Sequence, residues 1–141
     1  MGMFPALDIS SSGLVAQRMR MTAISSNLAN VTTTHNERGE AVPYQSRFVI
    51  FQADESVGAN GAAGVKVSSV ETSQAEPKLK FDPHNPDAIK EGPNKGYVAY
   101  PNISMMGEFT DALEASRAYE ANLGAMEISK DIEQQTLKII A

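Results

Sequence analysis

The segment ISSSGLVAQRMRMTAISSNLANVTT, residues 9–33, decides the fold of this chain. Its large apolar side chains follow a three-four spacing in which every seventh position repeats: Leu14, Met21, Ile24, Leu28 and Val31. This spacing is typical of a helix that packs along a second helix. The segment therefore predicts an N-terminal helix about 35 Å long, from the usual rise per residue.

The two ends of this helix carry their own signals. Asp8 or one of the serines at 10–12 can accept hydrogen bonds from the first turn. Asn30 and the threonine run at 32–34 favour termination. Asn27 and Asn30 also offer backbone groups an alternative to helical hydrogen bonds, so the helix is expected to have low intrinsic stability.

The middle of the chain, residues 44–101, places β-branched and aromatic residues between Gly and Pro. Three stretches predict strands: YQSRFVIFQ at 44–52, VKVSSVETS at 65–73 and KLKF at 78–81. The glycines at 58, 61 and 64 indicate a hairpin tip, and the DPHNPD and EGPNKG segments indicate turns. A sheet of this size buries little surface, so we expect it to lean on the helices.

A second and longer helix is predicted for residues 103–140, about 50 Å long, with Asn102 or Ser104 as its cap. Its apolar residues follow one set of positions and then move to another: Phe109, Ala112, Ser116, Tyr119, Leu123 and Met126, followed by Ile128, Ile132 and Ile139. Such a shift resembles a stutter, which changes the local supercoiling of the helix.

The sequence therefore predicts an α+β fold in which long N- and C-terminal helices pack as a coiled-coil-like pair around a small β-rich insertion. We expect three parts: residues 1–43 as the N-terminal half of the helical domain with a linker, 44–101 as the β-rich insertion, and 102–141 as the C-terminal helix. The first helix is basic and the second acidic, which favours their pairing.

Composition excludes several classes of protein. The 141 residues hold 12 Lys and Arg against 17 Asp and Glu, a net charge of −5, which argues against a nucleic-acid partner. There is no cysteine, no long apolar run for a membrane span and no recognisable cleaved secretion signal in MGMFPALDISSS. Asp82, His84 and Asp87 are better explained as a proline-rich turn than as a metal site. We expect no cofactor and no catalytic site.

Apolar residues concentrate at both ends of the chain: Met3, Phe4, Leu7, Met105, Met106, Ile139 and Ile140. Two helices joined through a small sheet bury only one stripe each, so this surface would stay exposed in a single subunit. Large exposed apolar surface indicates partner proteins.

Residues 6–30, ALDISSSGLVAQRMRMTAISSNLAN, resemble the N-terminal signature of the flagellar axial proteins, the family of rod, hook and hook-associated subunits. Residues 114–141 are similar to the matching C-terminal helix, with ASRAYEAN at 115–122 as its centre. The β insertion and GYVAYPN at 96–102 are most similar to the proximal-rod subunits of that family.

This resemblance implies a structural subunit of the hollow rod that crosses the periplasm and transmits torque, exported by the flagellar type III system without a cleaved signal peptide. Its implied partners are copies of itself, other rod subunits, and membrane-ring and export-gate components at the rod base. In such an assembly Asn27 and Asn30 can hydrogen-bond across subunits. The expected assembly interface consists of Leu14, Met21, Ile24, Asn27, Leu28, Asn30, Val31, Phe109, Leu113, Tyr119, Leu123, Met126, Ile132 and Ile139.

Two other classes remain as alternatives. A helical adaptor or export chaperone of a secretion apparatus would use the same stripes to hold one partner helix in a finite complex. An enzyme acting on the cell wall is not supported by any nucleophile, metal triad or isolated acid pair.

Overall fold

The computed structural model describes residues 5–57 and 61–140, and of residue 140 it describes only the backbone. The elements in these residues are α1 Pro5–Ala29, β1 Arg47–Asp54, β2 Gly64–Thr72, β3 Lys78–Phe81, β4 Tyr97–Tyr100 and α2 Met105–Ile140. The predicted fold class is confirmed, since α1 and α2 pack against each other and the strands lie between them in the chain. Met3, Phe4 and Gly58 lie outside the described residues.

Helix α1 begins earlier than the sequence predicts. It is already helical at Pro5, the first residue that the structure describes. The prediction that Asp8 or a serine at 10–12 caps the helix is therefore wrong, because these residues lie inside it. Ser12 instead joins α1 to β2: its Oγ accepts a hydrogen bond from the Val65 N–H at 3.0 Å.

The end of α1 confirms Asn30 as the stop signal, although the helix ends at Ala29 rather than near Thr33. The Asn30 side-chain amide donates to the carbonyl oxygen of Ser26 at 2.9 Å. Its Oδ1 accepts a hydrogen bond from the Thr33 hydroxyl at 3.1 Å. The side chain thus competes for backbone partners of the last turn and turns the chain away from the helix axis.

The strands form two separate two-stranded antiparallel sheets, β1–β2 and β3–β4, so the expectation of one small sheet is wrong. Strand β4 was not among the predicted strands. The connection between β3 and β4 is tightened by Gly96, whose φ of 84° suits glycine and whose position leaves no room for a Cβ beside the Phe81 ring, 3.0 Å away. Phe81 and Tyr97 stack edge to face with ring centroids 5.2 Å apart.

A β-bulge in the first sheet decides which residues face α1. Ile50 lies opposite Ser69, and Phe51 lies opposite Val67, so Ser68 is an extra residue in β2. Residues opposite each other share a face of the sheet. Val67 and Val70 are three residues apart and would face opposite sides of a regular strand, but the bulge keeps them on one face together with Val65. These valines lie beside α1.

Helix α2 begins at Met105, two residues later than predicted. Of the two proposed caps, Ser104 is the one observed, because its Oγ accepts from the Gly107 N–H at 3.3 Å. Asn102 instead donates to the carbonyl oxygen of Glu76 at 3.0 Å, which ties the loop before α2 to the segment before β3. Within residues 5–57 and 61–140, neither helix combines the length and apolarity that a bilayer requires.

Candidate assembly surfaces

The two helices meet along small side chains. Gly13, Ala16, Arg20, Ala23 and Asn27 follow a three-four repeat on α1, and we call this face the small-residue seam. Gly13, Arg20 and Asn27 contact α2, while Ala16 and Ala23 lie at the edge of the seam beside β1 and β2. All but Arg20 are buried. The seam lies one position away from the predicted stripe of Leu14, Met21 and Leu28, a rotation of about 100° around the helix.

Gly13 shows how closely the helices approach. A Cβ at this position would lie 2.8 Å from Asn122 Oδ1 and 3.0 Å from its Cγ. Ala115 of α2, which has no exposed surface, belongs to the same contact layer of small residues. Residues without bulky side chains let two helix backbones come together, so α1 and α2 gain dispersion contacts along their length.

The helices run antiparallel, as three contacts show. Asn27 contacts Glu108, Arg20 contacts Asp111 and Glu114, and Gly13 lies against Asn122. The Arg20 guanidinium is 3.3 Å from Asp111 Oδ1 and 3.0 Å from Glu114 Oε2. The predicted attraction between a basic α1 and an acidic α2 is thus present, although these exposed pairs contribute only about 0.2–1 kcal/mol each.

Asn27 connects three parts of the chain. Its Nδ2 donates to the Arg47 carbonyl oxygen at 2.9 Å and to the Glu108 carboxylate at 3.1 and 3.2 Å. Its Oδ1 accepts from the Arg47 N–H at 2.8 Å and from the Tyr44 hydroxyl at 3.2 Å. With 2% of its surface exposed, Asn27 uses its amide inside the subunit, which differs from the expected hydrogen bond across subunits.

The predicted α1 stripe lies beside the small-residue seam. Leu14, Met21, Leu28 and Val31 are half-buried, whereas Ile24 is buried. Asn30 is half-buried and bonded to its own chain. The structure therefore places the large residues at the rim of the helix pair, where a further helix could cover them.

The predicted interface residues of α2 divide between two faces. Tyr119 and Met126 are half-buried on the side of α1. The others are exposed: Phe109, Leu113, Leu123, Ile132 and Ile139. Met126 and Ile128 are two residues apart, and thus about 160° apart around the helix. Large apolar residues of α2 are therefore exposed both before this point and after it.

The far end of α2 extends beyond α1. The antiparallel contacts match Gly13 with Asn122, so Pro5 comes level with about residue 130. Ile132, Leu137 and Ile139 follow, with 59%, 64% and 85% of their surface exposed. This end of the helix therefore carries exposed apolar surface.

Sequence reasoning missed the small-residue seam because it followed the largest apolar side chains. The signal was present: Gly13, Ala16, Ala23 and Asn27 have the same three-four spacing as the larger residues. Spacing alone does not tell which of the two sets packs on α2. That depends on how closely the backbones of α1 and α2 approach each other.

The polar side chains of the DPHNPD turn make contacts that hold the β region to the rest of the chain. Asp87 accepts from the Thr34 hydroxyl at 2.7 Å and lies 3.6 Å from His35 Nδ1, so the DPHNPD turn is held against the segment after α1. Within residues 5–57 and 61–140 there is no group of three or more His, Cys, Asp or Glu side chains placed to hold a metal ion.

Two family models match the ends of the chain. The model described as flagella basal body rod protein matches residues 7–34, which include most of α1. The model described as the C-terminal region of flagellar basal body rod FlgEFG protein matches residues 94–139, which include β4 and nearly all of α2.

Curated relatives match nearly the whole chain. The flagellar basal-body rod protein FlgC of Borreliella burgdorferi is 37% identical, with 99% of each chain covered. The protein of the same name from Bacillus subtilis is 38% identical over 96% of this chain and 97% of its own. That of Salmonella typhimurium is 37% identical over 99% of this chain and 98% of its own.

Proposed function

The chain belongs to the family of flagellar basal-body rod proteins, and we propose that it polymerises through its two terminal helices into the proximal part of the rod. It is a structural subunit of the flagellar basal body and assembles there with other rod components. The full-length similarity to proteins named FlgC supports the proximal position.

One observation carries the proposal of polymerisation. On α2, the side opposite α1 exposes large apolar residues along the whole helix, from Met106 and Leu113 to Ile128 and Ile139. In a single subunit this apolar surface stays exposed to water. Exposed apolar area of this kind favours association with other proteins. Neighbouring subunits that cover it would gain the free energy of its burial.

The same surface suggests how the rod grows. A patch on one subunit that binds a different patch on the next makes a head-to-tail contact, and repeated contacts of this kind produce a helical filament. We infer an inner tube of packed α1 and α2 helices with the β region, residues 44–101, bracing it outside. The flanking parts, residues 1–43 and 102–141, form the helical domain in this proposal.

The interface residues inferred from the sequence fall into two groups. Ile24 and Asn27 are buried in the subunit, so we propose that they shape the α1 surface rather than touch a neighbour. The remaining residues are half-buried or exposed and are proposed contacts: Leu14, Met21, Leu28, Asn30, Val31, Phe109, Leu113, Tyr119, Leu123, Met126, Ile132 and Ile139.

Location and partners follow from the place of a rod in the cell envelope. We propose that the subunit reaches the periplasm through the flagellar type III export system, without a cleaved signal peptide. At the base of the rod it would contact membrane-ring and export-gate components. Further out it would contact other rod subunits and copies of itself, and the assembled rod would transmit torque.

Hydrogen exchange tests the proposal. Amide exchange is measured by mass spectrometry on the purified subunit and on the same chain in isolated basal bodies. We expect residues 9–33 and 105–140 to exchange faster in the free subunit, because burial in the polymer protects helices that are weak alone. Equal protection in both samples, or a stable complex with a single partner, would instead support the helical adaptor.

A further inference from the structure

An open groove runs between α1 and the β1–β2 hairpin. It consists of two adjoining pockets of about 410 and 280 Å³. Val15, Met19 and Thr22 line it from α1, and Val65, Val67 and Val70 line it from β2; we call this the hairpin groove. Val15 and Val70 are 59% and 49% exposed, so apolar surface is open to a ligand.

Charges border the hairpin groove at both ends. Arg18 and Arg47 lie at the Thr22 end, and among the described residues neither has a carboxylate oxygen within 4.0 Å. The guanidinium of Arg47 lies over the Tyr44 ring, 5.9 Å from its centroid. Asp8 is exposed two turns before Val15, on the same side of α1. The Thr22 end of the groove is thus basic, while the other end is bordered by Lys66 of β2 and faces the exposed Asp8 beyond it.

The subunit's own α2 does not occupy the groove. It packs on the small-residue seam, where Gly13 meets Asn122 and Asn27 meets Glu108. On α1, Val15 and Met19 lie about 160° and 120° around the helix from Gly13, the residue that meets Asn122. The groove is thus open to a helix from another molecule.

The outward side of α2 has the matching chemistry. Ile128 and Ile132 are exposed one turn apart. Glu127 and Asp131 flank them, and Lys138 follows toward the C-terminus. Glu127 and Lys138 are eleven residues apart, about 16.5 Å along the helix, while Asp8 and Arg18 are separated by about 15 Å on α1.

We infer that the hairpin groove binds the C-terminal half of α2 from a second copy of this chain, a contact that rests on the proposed function in the rod. The partner's α2 lies antiparallel to α1. Its acids at 127 and 131 then meet Arg18 and Arg47, and its lysine at 138 meets Asp8. In this register Ile132 of the partner subunit packs on Val15.

This contact joins two different surfaces, a groove on one subunit and a helix on another. The subunit at each end of the assembly therefore still has a groove or a helix available for the next subunit. Repetition extends the assembly without closing it. Opposite charges at two points fix the direction of the incoming helix, and like charges would oppose the reverse direction.

Cysteine cross-linking tests the register directly, since the chain has no cysteine of its own. Cells that carry Val15→Cys together with Ile132→Cys are treated with a short bis-maleimide, and basal bodies are isolated. We expect a cross-linked product with the mass of two copies of this chain. The control, Val15→Cys with Phe109→Cys, places the second thiol about 34 Å further along α2, and we expect it to give no dimer.

The outcomes separate this contact from the rod function itself. Absence of the dimer in basal bodies that contain the variant would overturn the hairpin groove as the site and leave the rod function standing. A product with the mass of a different rod protein would overturn the second copy as its occupant. Absence of the unmodified chain from basal bodies would overturn the proposed function instead.

A charge exchange tests the ion pairs. Arg18→Glu alone should reduce swimming, because it faces Glu127 and Asp131 of the partner. Combination with Glu127→Arg should restore swimming, since an opposite pair is formed again. Both positions are exposed in the subunit, so circular dichroism should show unchanged folding. Full swimming by Arg18→Glu alone would overturn the pairing.

Discussion

The side-chain amide of Asn27 donates hydrogen bonds to the carboxylate of Glu108 at 3.1 and 3.2 Å, across the contact between α1 and α2. The same amide also binds the backbone of Arg47 at the start of β1. Each helix and the first strand therefore depend on one side chain near the end of α1. A residue that weakens a helix by propensity stabilises the fold by its contacts.

We predict that Asn27→Ala destabilises the subunit by about 2 kcal/mol, because it removes the hydrogen bonds that this buried side chain makes to the Arg47 backbone and to Glu108. Asn27→Asp should be at least as harmful, since it places a second carboxylate beside Glu108. Urea unfolding followed by circular dichroism measures both. Asn94→Ala, at an exposed turn position, is the control and should change stability by less than about 0.5 kcal/mol.

Gly13 and Gly124 should respond differently to alanine. Gly124 has open space around its Cβ position, so Gly124→Ala should stabilise α2 by up to about 1 kcal/mol. Gly13→Ala should not give this stabilisation, because the added Cβ would lie 2.8 Å from the side-chain amide oxygen of Asn122. That amide donates to the Ala118 carbonyl oxygen at 2.8 Å and cannot move without loss of the bond.

A double-mutant cycle checks the cause. When Asn122→Ala is already present, Gly13→Ala should no longer be unfavourable, because the obstructing amide is gone. Thermal unfolding of the four proteins gives the coupling. Additive effects of the two substitutions would show that the close approach at Gly13 has no energetic weight.

Leu28→Asp should block rod assembly while the free subunit remains folded. Leu28 is only half-buried in the subunit, so a carboxylate there can stay hydrated until a neighbour covers it. Burial of the unpaired charge between subunits would then oppose assembly by several kcal/mol. Swimming in soft agar and the protein content of isolated basal bodies are the measurements.

The matched control for that variant is Ser68→Asp, which adds the same charge at an exposed position of β2. It should assemble and support swimming. Normal swimming with Leu28→Asp would remove Leu28 from the interface.

The β1–β2 hairpin contains a pH-sensitive turn at Asp54. Hydrogen bonds from the Ser56 hydroxyl at 2.6 Å and the Ser56 N–H at 3.1 Å hold the pKa of Asp54 below its ordinary value, with a smaller effect of Lys66 in the same direction. A lowered pKa means that these bonds stabilise the turn above the ordinary pKa of aspartate and lose this effect as the pH falls through the lowered value.

Ser56→Ala removes the hydroxyl and should raise the pKa of Asp54 toward its ordinary value. An NMR titration of the Asp54 carboxyl carbon in both proteins measures this change. An unchanged titration midpoint would show that the Ser56 hydroxyl does not hold the carboxylate in solution.

The sequence predicted the elements that depend on local signals. Apolar spacing identified both helices, Asn30 marked the end of α1, and Ser104 capped α2. The strands before residue 82 followed from β-branched and aromatic residues. These predictions succeeded because each signal acts between residues that are close in the chain, whatever the rest of the molecule does.

Tertiary structure decided which side of each helix is inside. The large residues Leu14, Met21 and Leu28 attract attention in the sequence, yet α2 packs on Gly13 and its neighbours one position away. Small residues stabilise the fold only where a second helix backbone packs closely against them. Asn27 needs hydrogen-bond partners from two distant segments of the chain. The sequence thus determined the helices and the apolar surface that they carry, while the distance between backbones determined which of that surface stays exposed for assembly.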